Sequence, residues 1–347
     1  MPEYVMPAEW ERHEATWFTW PHNASDWPGK FEAIPWVFAD VIRKVTATER
    51  LKLIVRDEAE RESVLALLKK ASIPSDKIGF YLAPTDRNWL RDNGPIFARE
   101  ASSGMLAMIR FRFNGWGLYP EWQLDDAIPG FLGEQLQAFP LIDALHDGKP
   151  VVLEGGSIDV NGNGTLLTTE ECLLSQEVQV RNPGMTREQL EAVLRQYLGA
   201  TNVIWLGDGH EGDETHGHVD DITRFVNERT IVSVREADPT DANHRALEDN
   251  WQRLQDARLE DGSKPEVVAL PMPGPIFLDG FRLPASYANF YIINDRVLVP
   301  TFNDPNDVRA LGILGELFPD REVIGIHSLD LIAGGGTLHC STQQLPA

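Results

Sequence analysis

The chain holds two cysteines, and one of them, Cys340, falls in the closing stretch "GGGTLHCSTQQLPA" beside His339 and after three glycines, Gly334, Gly335 and Gly336. A thiol becomes a nucleophile when nearby cations or a well-placed base favour its thiolate. The glycines would let backbone approach a ligand closely or adopt a positive φ. Chain termini usually fray, so a reactive side chain here implies a tail tucked into the body of the fold. The other cysteine, Cys172 in "TTEECLLS", reads as a small buried hydrophobe, as free cysteines commonly are.

Three further stretches carry chemistry. In "DETHGHVDD", Asp213 to Asp221, a strand would put His216, His218 and Asp220 on one face. Those residues offer either a divalent-metal site with nitrogen and oxygen ligands or a base, His218, beside a carboxylate, Asp220, serving a nucleophile elsewhere. In "DRNWLRDNGPIF", Asp92 precedes an Asn-Gly-Pro turn, and Trp89 lies three residues earlier, lining a pocket or filling the core. In "LEGGSIDV", Glu154 follows an apolar strand and precedes two glycines, a place where an unpartnered carboxylate is expensive to bury.

The elements that must position these groups are hairpins separated by helices. "SIDVNGNGTLLT" is a hairpin around Asn161–Gly164. Others turn at Asn227–Arg229 and at Asn294–Arg296, a fourth joins "DNGPIFARE" to "MLAMIRFRFNGW", and "ATWFTWP" opens a fifth. Helices are expected over Phe31–Thr46, Glu58–Ala71, Thr186–Leu198, Asp241–Ala257 and Pro305–Phe318. The third has a capping box, Thr186 with Gln189, and Gly199 as its stop. A hairpin-plus-helix unit repeated four or five times suggests a closed ring with a shared centre, built as one domain over residues 1–347. Asp92, Glu154, His218, Asp220 and Cys340 each stand at an end of one unit, where a ring would gather them. Three carboxylates, one imidazole and one thiol describe a pocket for a cation, and carboxylate pairs match the two-pronged geometry of a guanidinium.

Composition agrees with that class. The net charge of −22 argues against nucleic-acid binding and permits a cationic small molecule. The 42 % hydrophobic content supplies a core, and two cysteines suit a reducing compartment, giving a cytoplasmic expectation. No signal peptide or membrane span is expected, and a homo-oligomer is compatible with the sequence.

The segments "MPAEWERHEATWFTWP", "NWLRDNGP", "LEGGSIDVNGNGTLLTTEECLL", "GHVDD", "ASYANFYIINDRVLVPTF" and "GGGTLHCSTQQ" together resemble the agmatine deiminases. That group lies within a guanidino-modifying family that includes arginine and peptidylarginine deiminases. The resemblance covers nearly the whole chain. It implies a five-bladed α/β propeller (the pentein fold, with pseudo-fivefold repeats), no metal and no organic cofactor. Carried across, Cys340 is the nucleophile, His218 the general acid/base, and Asp92 and Asp220 the clamp on the guanidinium nitrogens. Glu154 holds His218 or the guanidinium in register, and Trp89 lines the pocket. The expected reaction is agmatine plus water to N-carbamoylputrescine plus ammonia. Two departures, Thr337 in the glycine run and "FNGWGLYPEW" over Phe113–Trp122, make the guanidino chemistry firmer than the substrate. Alternatives are a deiminase of peptidyl or free arginine, a metal-dependent hydrolase at His216, His218 and Asp220, and a non-catalytic partner-binding ring.

Overall fold

Strand order follows from the turns. Asp159–Val160 and Thr165–Thr169 pair antiparallel around the turn at Asn161, whose side-chain oxygen accepts from the backbone of Asn163 and Thr165. A parallel partner needs a crossover, and helix Arg187–Leu198 supplies it, returning the chain to Asn202–Leu206 alongside Thr165–Thr169. The capping box at Thr186 and Gln189 starts this helix, and Gly199, at φ 79°, stops it. Its apolar face buries Leu190, Val193, Leu194, Tyr197 and Leu198.

The same antiparallel pair, helix and parallel strand recur in the computed structural model, which describes residues 3–347. One unit runs Thr223–Phe225, Thr230–Arg235, helix His244–Asp256, Glu266–Pro271. Another runs Tyr291–Ile293, Arg296–Thr301, helix Asn306–Leu317, Glu322–His327. A further unit pairs Ile96–Glu100 with Leu106–Arg110 and adds Leu141–Asp143 in parallel, with Tyr4–Val5 on its edge. Among the described residues there are thus five mixed sheets of three or four strands, plus two small two-stranded hairpins. No described helix is long and apolar enough to cross a membrane.

The remaining sheet draws its antiparallel pair from both ends of the chain. Thr342–Pro346 lies against His13–Thr19, which is followed by helix Ile34–Thr46, then Arg50–Val55, helix Glu58–Lys70 and Ile78–Leu82. The tail is therefore structural, as the sequence suggests. Arg91 fixes it: its backbone N–H donates to the Cys340 carbonyl at 3.1 Å, and its guanidinium donates to the side chains of Gln343 at 2.6 Å and Gln344 at 2.7 Å. One arginine so ties Cys340 and the closing strand to the segment that carries Asp92.

Leu345 is fully buried within this closing strand. Leu345→Ala should therefore lower unfolding stability by about 2–5 kcal/mol, the range for a fully buried leucine. Urea denaturation checks this, and a loss typical of exposed positions would show that the tail is not part of the cooperative core.

Candidate active site

Cys340 is buried, and its surroundings account for the residue types around it. The Asn289 amide donates to Sγ at 3.0 Å and to Asp221 Oδ1 at 2.9 Å. Which way that amide faces is fixed by its oxygen, which accepts from the Thr337 hydroxyl at 2.8 Å and the His339 N–H at 3.1 Å. Thr337, an outlier on the family resemblance, thus orients the donor to the sulfur. A Cβ on Gly336 would lie 3.1 Å from both Sγ and the Trp89 ring, and one on Gly334 would lie 2.4 Å from Trp27 Nε1. Only glycine admits those approaches.

The carboxylates arrive on tight turns. Asp92 sits inside the one-turn helix Leu90–Asn93 rather than ahead of a turn. Its Oδ2 accepts from Trp116 Nε1 at 2.9 Å and its Oδ1 from the Gly156 N–H at 3.1 Å. Glu154 stands at the head of the 3-10 turn Gly155–Ser157, and its Oε1 accepts from Arg181 Nε at 3.0 Å. His218 is fully buried between these groups. Its Nδ1 lies 3.8 Å from Asp92 and 4.0 Å from Asp220 Oδ1, and its Nε2 lies 3.7 Å from Glu154 Oε2. None of these gaps is a hydrogen bond, and both ring nitrogens, Glu154 Oε2 and Asp220 Oδ1 are buried without partners. Such atoms each cost about 1–3 kcal/mol when left unpaired, so their grouping marks a place for a polar guest. A Cβ on Gly156 would lie 2.6 Å from His218 Nδ1, 2.8 Å from Asp92 Oδ1 and 3.1 Å from Asp220 Oδ2, which explains the second glycine after Glu154.

The structure thus brings Cys340, Asp92, Glu154, His218 and Asp220 together, and Trp89 lines the same pocket. It separates His216. Residues 216–221 are not a strand: His216 and Gly217 have φ of 63° and 87°, and Val219–Asp221 form a 3-10 turn. That geometry turns His216 out to Glu171, 3.3 Å away and partly exposed, so His216, His218 and Asp220 do not form the proposed metal triad.

Besides the histidine, buried guanidinium groups back the acids of the site. Arg181 lies behind Glu154, and Arg224 and Arg91 lie behind Glu9, all buried. Cys172 is buried as expected, yet its sulfur belongs to the cluster formed by Glu154 and His218, with ligand atoms within 4.8 Å of one another. Sequence reasoning assigned no role to Glu9, Trp116, Arg181, Asp221 or Asn289. Glu9, Asp221, Asn289 and Trp116 stand in segments already singled out, "MPAEWERHEATWFTWP", "GHVDD", "ASYANFYI" and "FNGWGLYPEW", though with no role assigned; Arg181 stands in none of them.

Electrostatics follow from burial and neighbours. Burial pushes the Cys340 thiol well above its ordinary range, and Asp220, Asp221 and Asp92 push it further, against a small opposing effect from Asn289. Burial raises Asp92 to about 6, with His218 opposing and Asp220 and Glu154 adding to it. Burial would pull His218 down, but Asp92, Cys172 and Glu154 outweigh it and hold the imidazole well above its usual value. Burial would likewise raise Glu154, yet Arg181 and His218 bring it to about 2. Asp221 is pushed well up, by burial first and then by Asp220.

A narrow cleft leads to the sulfur. Trp89, Asp92 and Trp116 line its walls, and Tyr119, Glu214 and Arg87 line it as well. Tyr119 donates its hydroxyl to Glu214. Arg87 pairs with Asp26 and lies over the Tyr119 ring, 4.2 Å from its centre. Trp116 holds φ 57° between Gly115 and Gly117, a conformation uncommon for a bulky residue, and its indole reaches Asp92.

The profile of the Porphyromonas-type peptidyl-arginine deiminase family matches residues 5–346. The chain belongs to this family. Among its relatives in the deiminase family, the agmatine deiminase of Stutzerimonas stutzeri is 36 % identical over 99 % of this chain and 96 % of its own. The structure of an agmatine deiminase of Enterococcus faecalis, described as catalysing its reaction, superposes with a TM-score of 0.88 at 31 % identity, covering 99 % of this chain and 96 % of that one. A C. jejuni agmatine deiminase with a cysteine-to-serine change and substrate bound gives 0.87 at 28 % identity, with the same coverage of both chains.

For this deiminase-family chain, Gly156→Ala should push His218, Asp92 or Asp220 apart and lower stability by about 1–3 kcal/mol, as overpacking does. Thermal unfolding together with a crystal structure of the variant checks it; unchanged stability with unmoved side chains would contradict the close packing described.

Proposed function

We propose that the chain is a deiminase that hydrolyses agmatine to N-carbamoylputrescine and ammonia through a covalent intermediate on Cys340. The observation that carries this reading is the group of unpartnered buried acceptors, on Asp220 and Glu154, gathered with Asp92 around His218 beside the buried sulfur. A guanidinium, flat and positively charged, supplies the donors those acceptors lack. On this reading the five sheets are the five blades of an α/β propeller, one domain whose centre is the site. The low cysteine count favours the cytoplasm.

In the reaction, the entering cation offsets Asp92, Asp220 and Asp221, and the Cys340 proton leaves to solvent. The thiolate forms a bond to the guanidinium carbon while Asp92 and Asp220 hold its plane. Protonated His218 gives its proton to a terminal nitrogen, the C–N bond breaks and ammonia leaves. Neutral His218 then takes a proton from water as the oxygen attacks the amidino-thioether. The C–S bond breaks, the thiolate is released, and the hydroxyl proton goes to solvent, where it protonates ammonia. Glu154, held by Arg181, keeps His218 in place.

The mouth favours agmatine over arginine. Glu214 presents a carboxylate suited to a distal ammonium, whereas Arg87, the cation that could meet an α-carboxylate, is already paired with Asp26. The names of the relatives point the same way.

Two linked measurements test this on Cys340→Ser. The variant should bind agmatine by calorimetry and release no ammonia, whereas the wild type turns agmatine over faster than free or peptidyl arginine. Because clamping requires ionised Asp92, which sits at about 6, affinity should be level above that pH and weaken by about tenfold per unit below it. Ammonia release by the serine variant, or affinity that strengthens on acidification, would overturn the reading.

A further inference from the structure

Behind the site, His339 bridges two carboxylates. Its Nδ1 lies 2.6 Å from Asp220 Oδ2 and its Nε2 lies 2.8 Å from Glu9 Oε2, with all three side chains buried. An ionised carboxylate only accepts, and a neutral imidazole has one N–H and one lone pair. Two such contacts on one ring therefore require either a second ring proton or a proton on one of the acids.

The neighbours decide between these. Glu9 also faces Arg224 at 3.1 Å and Arg91 at 3.4 Å, and its other oxygen accepts the Ile292 N–H at 2.8 Å. A proton on Glu9 would place a neutral acid against two buried guanidinium groups. A proton in the contact between Asp220 Oδ2 and Nδ1 belongs to the ring, because an imidazole is the more basic of the two; the other Asp220 oxygen has no partner and faces the His218 ring at 4.0 Å. Asp159, paired with Arg224 at 3.1 Å, is a further acid that interacts with the ring; the Tyr291 ring, 6.5 Å away between centroids, and Cys340, whose sulfur is 3.8 Å from Asp220 Oδ2, are also near. None of these supplies a compensating cation.

We propose that His339 is a positioning residue: an imidazolium held between Glu9 and Asp220 that occupies one oxygen of Asp220 and leaves the other, still ionised, facing the guanidinium site. Glu9, backed by Arg224 and Arg91, anchors the ring from the far side. The fixed cation lets Asp220 remain a carboxylate within a cluster of acids. Because Arg91 also donates to the His339 carbonyl at 3.3 Å and precedes Asp92, one buried network sets both members of the clamp. The inference rests on the deiminase reading for its kinetic consequence, but not for the state of the ring.

Nitrogen-15 spectra of the histidine-labelled full-length protein read that state directly. The His339 signal, assigned by its loss in His339→Gln or His339→Asn and by its shift in Glu9→Gln, should show both ring nitrogens protonated at neutral pH without substrate. A neutral tautomer there would overturn the proposal. In kinetics with agmatine, His339→Gln should raise KM at least tenfold and move the acid limb of kcat/KM to higher pH, because Asp220 loses its cation. A folded variant with wild-type KM and pH profile would also overturn it. If the glutamine variant does not fold, Glu9→Gln and the wild-type spectrum still decide. Failure of the wild type to consume agmatine would instead overturn the substrate reading and leave the spectrum standing.

Discussion

Six carboxyl groups, on Glu9, Asp92, Glu154, Asp159, Asp220 and Asp221, lie buried near one another, and the rest of the structure is arranged around that fact. Unpaired buried charge is too costly to keep. Arg181 answers Glu154, Arg224 answers Asp159 and Glu9, and Arg91 reaches Glu9 while gripping the tail. Asp92, Asp221 and the free oxygen of Asp220 are the exceptions: among the described residues no arginine pairs with them, and Asp221 has only the Asn289 amide on one oxygen. The acids left without an arginine are the three gathered around Cys340 and His218.

This arrangement also governs the nucleophile. A thiol ringed by acids is kept protonated, so the chemistry is coupled to arrival of a cation. A neutral molecule entering the same cleft would leave the sulfur inert. The glycines serve that arrangement: Gly156 lets His218, Asp92 and Asp220 share one point, and Gly336 lets the Trp89 ring approach the sulfur. On the proposed mechanism, substrate selection and nucleophile activation are one electrostatic event.

Much of this was legible in the sequence because local signals are strong where turns and caps are. The hairpin at Asn161–Gly164 and the helix Arg187–Leu198 follow from turn chemistry and capping, and the tail, expected to be tucked into the fold, pairs with His13–Thr19. Five of the site side chains stand beside glycines or turns, so they could be picked out. His216 could not be placed, because a positive φ at a histidine has no local sequence signal, and alternation along a presumed strand pointed it inward. Glu9 and Arg181 were invisible for a different reason: their partners are 330 and 27 residues away, and long-range ion pairing has no periodicity to read. Asn289 and Thr337 acquire meaning only once their side chains meet at Cys340.

The proposed chemistry requires that the free enzyme hold Cys340 as a thiol. Ultraviolet absorbance of the thiolate, followed across pH and corrected by the same titration of Cys340→Ser, measures this with and without a guanidinium ligand that does not react. The account predicts no thiolate near neutral pH in the free protein and its appearance when the ligand binds. A thiolate already present in the empty site, unchanged by the ligand, would contradict it.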